Sequence, residues 1–103
     1  MNQQANVVSV LPSVAEAMRD HRLPHTTRVM LWFLMSRLDL HEYREVKVMS
    51  LAHEMRIKER TANDALLRLV REGYLDMHHK QRPRAFRLLW SRRSPDATAV
   101  TET

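Results

Sequence analysis

Apolar residues recur along this chain at two periods, and the order in which those periods alternate predicts its elements. Val14, Ala17, Met18 and His21 stand at helical spacing behind Ser13 and Glu16. Those two form a capping-box pair, whose hydroxyl and carboxylate satisfy the free amides of a helix start, so a first helix is expected over residues 13–21. Pro24 ends it, because proline disfavours helical geometry in the residue before it. Thr26 or Thr27 caps a second helix reaching about residue 38, whose apolar positions Val29, Met30, Leu31, Trp32, Phe33, Leu34, Met35 and Leu38 surround the axis and predict burial on several sides. After a polar loop over residues 39–45, the alternation Val46, Lys47, Val48 reads as a short strand with both valines inward. Ser50 then caps a third helix that turns Leu51, Ala52 and Met55 to the core.

Only Arg56, Ile57 and Lys58 separate that helix from the next, and so short a link sets two helices at a steep angle. The fourth helix, residues 59–72, lines up Ala62, Ala65, Leu66, Leu69 and Val70 as a full core stripe. Gly73, the chain's one glycine, supplies the left-handed residue that closes it. Leu75 and Met77 begin a strand; Phe86, Leu88 and Trp90 alternate with Arg87 and Leu89 on its return, and Pro83 sits at the bend, where no ladder amide is needed. The expected organisation is a flexible arm over residues 1–12, carrying Val7, Val8, Val10 and Leu11, then a single domain over 13–93, then a disordered tail of small polar residues over 94–103. The fold class is mainly α with a small β-hairpin (α+β), in the order α-α-β-α-α-β-β.

Composition narrows what such a domain does. A chain of 103 residues holds one core and not two. The absence of cysteine excludes disulfides and thiolate chemistry and fits a reducing compartment. The longest apolar run, residues 29–35, falls far short of the roughly 20 residues a membrane span needs. The amino terminus also lacks the basic-then-apolar layout of an export signal, so a soluble intracellular protein with no membrane partner is expected. A single glycine leaves no phosphate-cradling loop and no nucleophile motif occurs, so no enzyme is expected. Nor do the histidines offer a metal: Pro24 interrupts His21 and His25, and the adjacent His78 and His79 point to opposite faces of a strand. No metal and no cofactor are expected.

The net charge of +5 matters less than its placement. Residues 50–93 carry 11 Lys and Arg against 5 Asp and Glu, whereas the rest of the chain carries 6 against 7. Within that half, residues 77–95 hold six cations and no acid: Lys80, Arg82, Arg84, Arg87, Arg92 and Arg93. That acid-free run is longer than protection of a strand edge requires, and it points to a polyanionic partner.

The segment RIKERTANDALLRLVREGYLD with the following HHKQRPRAFRL resembles the winged helix-turn-helix superfamily of DNA-binding proteins, nearest to MarR-like regulators and to the winged-helix domains of phage and plasmid replication proteins. The resemblance covers residues 26–90 and rests on Ile57 at the turn, Thr61 in the first turn of the next helix, Leu66 and Leu69 on its inner face, and Glu72, Gly73, Tyr74 and Leu75 entering the hairpin. It implies double-stranded DNA as partner, with the fourth helix in the major groove. Arg60, Asn63, Asp64, Leu67, Arg68 and Arg71 then face bases or phosphates, Thr61 takes a phosphate, and Ser50 and Lys58 flank the helix. In such a pose Arg60 suits a guanine edge and Asn63 an adenine.

His79, Lys80, Arg82 and Arg84 of the hairpin are expected on a neighbouring minor groove or its phosphates. Asp64 and Leu67 depart from the pattern, which more often has basic or hydroxyl and polar residues there. The implied role is a repressor-type transcriptional regulator in the cytoplasm of a bacterium or encoded by its phage or plasmid. Two-fold DNA sites about 34 Å apart call for a homodimer, with residues 1–22 and Trp32 or Trp90 as the spare material for it. A replication or partition factor on repeated sites, and a protein adaptor acting through Leu67, are the alternatives.

Overall fold

The computed structural model describes residues 11–80 and 82–93. Among them the elements run α1 (Pro12–Arg19), α2 (His25–Met35), β1 (Arg44–Glu45), α3 (Val48–Met55), α4 (Glu59–Arg71), β2 (Leu75–Met77) and β3 (Ala85–Leu88). The strands form one antiparallel sheet in the order β1-β3-β2. The order of helices and strands is the expected one and the class is α+β. The arm up to residue 10 and the tail over 94–103 lie outside the described residues.

The stripe on α4 builds the core. Ala62, Ala65, Leu66 and Leu69 are buried against Met30, Leu31 and Leu34 of α2 and Leu51 and Ala52 of α3, with Val70, Met55 and Ile57 packed at the edge. Each leucine so buried contributes about 1.5 to 3 kcal/mol, and α4 is the one helix that packs closely on both α2 and α3. Three residues join α3 to α4. The turn is made by Arg56 in the left-handed region (φ 58°), a conformation that costs an ordinary side chain about 1 to 2 kcal/mol. Packing offsets that cost: the Ile57 amide donates to the Ala52 carbonyl at 3.0 Å and the Ile57 side chain lies against the core.

Beneath α4, the sheet turns Leu75, Met77, Phe86 and Leu88 inward, while Asp76 and Arg87 pair across the opposite face. Trp90 lies beyond β3 and is exposed, so the expected alternation stops at Leu88.

Several element starts differ from expectation. α1 opens on Pro12 with buried Leu11 as its cap, so Leu11 belongs to the core and not to the arm. Ser13 does not cap: its amide donates to the Trp90 carbonyl at 3.1 Å and its hydroxyl to that of Leu89 at 2.7 Å. Glu16 instead lies 3.9 Å from Arg92. α2 starts at His25 behind Pro24 and stops at Met35, and neither Thr26 nor Thr27 caps it. Only one face of α2 is fully buried, and Trp32 is 49% exposed.

β1 is Arg44–Glu45, not Val46 to Val48, because Val48 already begins α3; Lys47 is its cap, and Ser50 sits exposed in the first turn. The pairing with β3 ends as the Val46 amide donates to the Arg84 carbonyl at 3.2 Å.

Gly73 ends α4 as expected. With φ at +88° it lets its own amide reach the Val70 carbonyl at 3.1 Å and the Tyr74 amide reach that of Leu69 at 2.8 Å, the paired bonds of a Schellman motif. The chain also returns here, the Arg93 amide donating to the Gly73 carbonyl at 2.7 Å. A Cβ on Gly73 would sit 1.7 Å from the Arg93 oxygen.

Gly73→Ala therefore meets two penalties. The left-handed backbone costs about 1 to 2 kcal/mol, and the clash forces the carboxyl-terminal segment away. Thermal unfolding followed by circular dichroism should show Tm lowered by about 8 °C or more, since about 1 kcal/mol moves a domain of this size by 4 to 8 °C. A Tm within about 2 °C of wild type contradicts the crossing.

Candidate functional site

The face of α4 turned away from its core stripe is left open by the described chain. Glu59, Arg60, Thr61, Asp64 and Arg71 are exposed along it, and Asn63 and Leu67 are half-buried. A cleft of about 470 Å³ runs beside its amino-terminal half, lined by Val48, Glu59, Arg60, Asn63 and Arg84. A groove of about 490 Å³ borders the other side, where Pro24, Thr27, Thr61, Asp64, Leu67 and Arg71 meet between α4 and the start of α2. Leu67 is thus partly sheltered in a groove wall, which accounts for an apolar residue at a position facing out.

Three elements fix the cleft. β3 brings Arg84 beside α4, and its guanidinium donates to Asn63 Oδ1. Arginine has only donors, so this contact sets the orientation of the Asn63 amide: its oxygen faces Arg84, and its NH2 group is what it can offer a ligand. Arg84 accordingly turns back onto α4 and does not project from the hairpin tip.

The tip itself carries the exposed His79, Lys80 and Arg82, and Pro83 follows Arg82 through a cis peptide bond. Lys58 occupies the cap position of α4, exposed. A cation there is disfavoured by the helix dipole, so the arrangement improves when an anion approaches. Ser50 is not brought to this face; it borders a separate hollow with Leu38, Glu45 and Val46.

Arg68 does not face outward as expected. Its Nη2 donates to the Arg22 carbonyl at 3.1 Å, and its Nε lies 3.4 Å from Glu72, an ion pair without hydrogen-bond alignment. The Glu72 carboxylate also meets Arg22 at 3.4 Å and Arg92 at 3.2 Å. Asp76 takes Arg87 at 2.8 Å, Arg93 at 3.7 Å and the Tyr43 hydroxyl at 2.7 Å. Burial, and then this bond to Asp76, raises the Tyr43 phenol above its ordinary value.

Arg87, Arg92 and Arg93 of the acid-free run are therefore paired within the domain. Lys80 and Arg84, with Lys58, Arg60 and Arg71, make no ion pair among the described residues. Asp64 likewise pairs with neither Arg60 nor Arg68.

No family model, no curated protein and no solved structure matches this chain. Its chemistry is left to its own geometry. Among the described residues no three His, Cys, Asp or Glu side chains gather as metal ligands, and no helix is long and apolar enough to cross a membrane.

The sequence held one partial signal for these ion pairs, the four-residue spacing of Arg68 and Glu72. The Arg84 to Asn63 contact spans 21 positions and has no local signature.

Behind α4, Asp20 accepts two bonds from the Arg22 guanidinium, at 3.1 and 3.0 Å, and one from the Tyr74 hydroxyl at 2.7 Å. The Arg22 bonds first, and the Tyr74 bond second, hold its carboxyl well below the ordinary 3.8. A lowered carboxyl value means that the stabilisation is full above pH 3.8 and is lost as pH falls through the folded value. Asp20→Asn should lose about 1 to 2 kcal/mol at neutral pH, and its unfolding free energy should fall less steeply than that of wild type between about pH 4 and pH 2. Parallel curves in urea titrations over that range would exclude this role for Asp20.

Proposed function

We propose that this chain binds double-stranded DNA in a sequence-dependent way as a small winged-helix protein. In this reading α4 enters the major groove, and the connection between β2 and β3 lies along the adjacent minor groove or its phosphates. One observation carries it: the outer face of the longest helix is uncovered by the described residues and presents Arg60, Thr61 and Arg71, with Arg84 on one flank. Arg60, Arg71 and Arg84 on this face make no ion pair among the described residues, which leaves their charge to a polyanion.

Arg60, exposed in the first turn, has the planar fork that matches O6 and N7 of guanine. Thr61 and the leading amides of α4 suit a phosphate, which the positive end of the helix dipole also favours. Lys58, Lys80 and Arg82 are placed to contact backbone, and Arg71 lies where the far end of α4 would leave the groove.

The proposed role is a repressor-type regulator acting as a homodimer. Exposed Met18 (38%), Trp32 (49%) and Trp90 (64%), on α1, on α2 and just after β3, are the apolar side chains a second copy would cover.

Fluorescence anisotropy with duplexes, taken from a selection out of random DNA, tests the proposal. With about five phosphates neutralised, the log-log salt slope should be near −4.5. Arg60→Ala should cost about 1 to 3 kcal/mol on the selected site and relax one base position, whereas Lys80→Glu should weaken all duplexes alike. Duplex binding that ignores both substitutions rejects α4 and the hairpin as the contact surface, and no binding in dilute buffer rejects DNA as the partner and favours the adaptor role. Footprints with several evenly spaced repeats, in place of one palindrome, would assign replication or partition.

A further inference from the structure

The Arg84 to Asn63 contact restricts what Asn63 can recognise. Adenine is read by an asparagine that uses both ends of its amide at once, the oxygen accepting from N6 and the NH2 donating to N7. Here the oxygen is already held by a guanidinium. A bond from a charged donor is stronger than a neutral one, and the guanidinium beside the oxygen's second lone pair repels the electropositive N6 amino group of adenine. The Arg84 backbone is anchored as well, since its carbonyl accepts the Val46 amide where β1 meets β3.

We infer that Asn63, oriented by Arg84, turns its NH2 group to the base and reads it as a donor, so that the base pair beneath the first two turns of α4 is selected for guanine and against adenine. The inference rests on the DNA reading above and sharpens it. Guanine presents two acceptors, O6 and N7, to the Asn63 NH2 group, whereas adenine brings a second donor to an oxygen that already faces the Arg84 cation. The other N–H groups of Arg84 add positive charge at the same wall of the cleft, which again favours O6 over an amino group. Glu59 supplies the cleft's one carboxylate, and an acceptor there matches the N4 amino group of the cytosine opposite. Arg84 acts through Asn63 and is a positioning residue for base choice.

The test is a binding selection from random duplexes with the full chain and three variants. Asn63→Ala locates the position, as the one whose preference it relaxes. Wild type should favour guanine there over adenine by roughly ten-fold. Arg84→Met releases the amide oxygen, so adenine should rise at that position to parity with guanine or beyond, without a matching change elsewhere in the motif. Asn63→Asp keeps the Arg84 contact as an ion pair and turns an acceptor outward, so preference should pass to cytosine even though overall affinity drops; it supplies the readout if Arg84→Met does not fold. Adenine at the Asn63 position in wild type, or an unchanged preference in either variant, overturns this inference and leaves DNA binding intact. Failure of the wild-type chain to bind any duplex overturns both.

Discussion

The rest of the structure depends on the crossing of two stretches of backbone at Gly73. The turn out of α4 and the segment leaving β3 pass so close that their main chains bond directly, with Arg93 donating to Gly73, and no side chain fits between them. On one side of the crossing Arg92 donates to the Glu72 carbonyl at 2.7 Å. On the other, Ser13 takes the carbonyls of Leu89 and Trp90 and fastens α1 to the same segment. One residue without a Cβ thus brings together the end of α4, the exit of the sheet and the start of α1. Because the sheet is held to α4 at this point, the position of β3 relative to the helix is fixed, and with it the position of Arg84.

That closure decides how the charge is allocated. Exposed ion pairs contribute little, with a median of about 0 to 1 kcal/mol, so Arg37 with Glu54 and Arg44 with Glu42 are marginal. Asp76 and Glu72 are different, with side chains 13% and 18% exposed, and each would be costly to leave without a counterion. Arg87, Arg92, Arg93 and Arg68 answer that requirement, and Arg22 joins them over Asp20 and Glu72. Two aromatic rings carry the same cations: Arg87 lies 5.0 Å from the Tyr43 ring and Arg92 5.2 Å from that of Tyr74. The basic run after Met77 is therefore two populations. Its later arginines hold the fold, and Arg84 borders the open face.

What the sequence showed and what it concealed divide along the same physical line. Elements dictated by local periodicity were legible: the α4 stripe, the three-residue turn before it, the close at Gly73, and the inward Leu75, Met77, Phe86 and Leu88. Features decided by distant partners were not. Ser13 has the right neighbour for a capping box, yet a carbonyl 76 residues away takes its hydroxyl. Val46 and Val48 alternate as a strand would, yet α3 begins there and the pairing falls on Arg44 and Glu45. Arg56 adopts a left-handed turn that sequence rules assign to glycine. Among the expected contact residues, Arg60, Thr61, Asp64 and Arg71 are on the open face as periodicity required. Arg68 was lost to Glu72, and Ser50 to the other side of α3.

The two ends of α4 differ in kind as a result. Its carboxyl end is enclosed: Arg68, Glu72, Arg22 and Arg92 satisfy one another there, and the Schellman turn and the crossing leave the backbone no freedom. Its amino end has been given the opposite electrostatics. Lys58 and Arg60 stand within the first turn, where the helix dipole is already positive and where an acid is the stabilising choice, as Glu59 shows alone. Placing two cations there costs the isolated protein some stability, a cost that a negative charge brought to this end would offset. Arg84 adds a third cation to the same end, held by an uncharged partner and so not neutralised. A helix enclosed at one end and electrostatically unbalanced at the other is the asymmetry on which the proposal of an anionic partner rests.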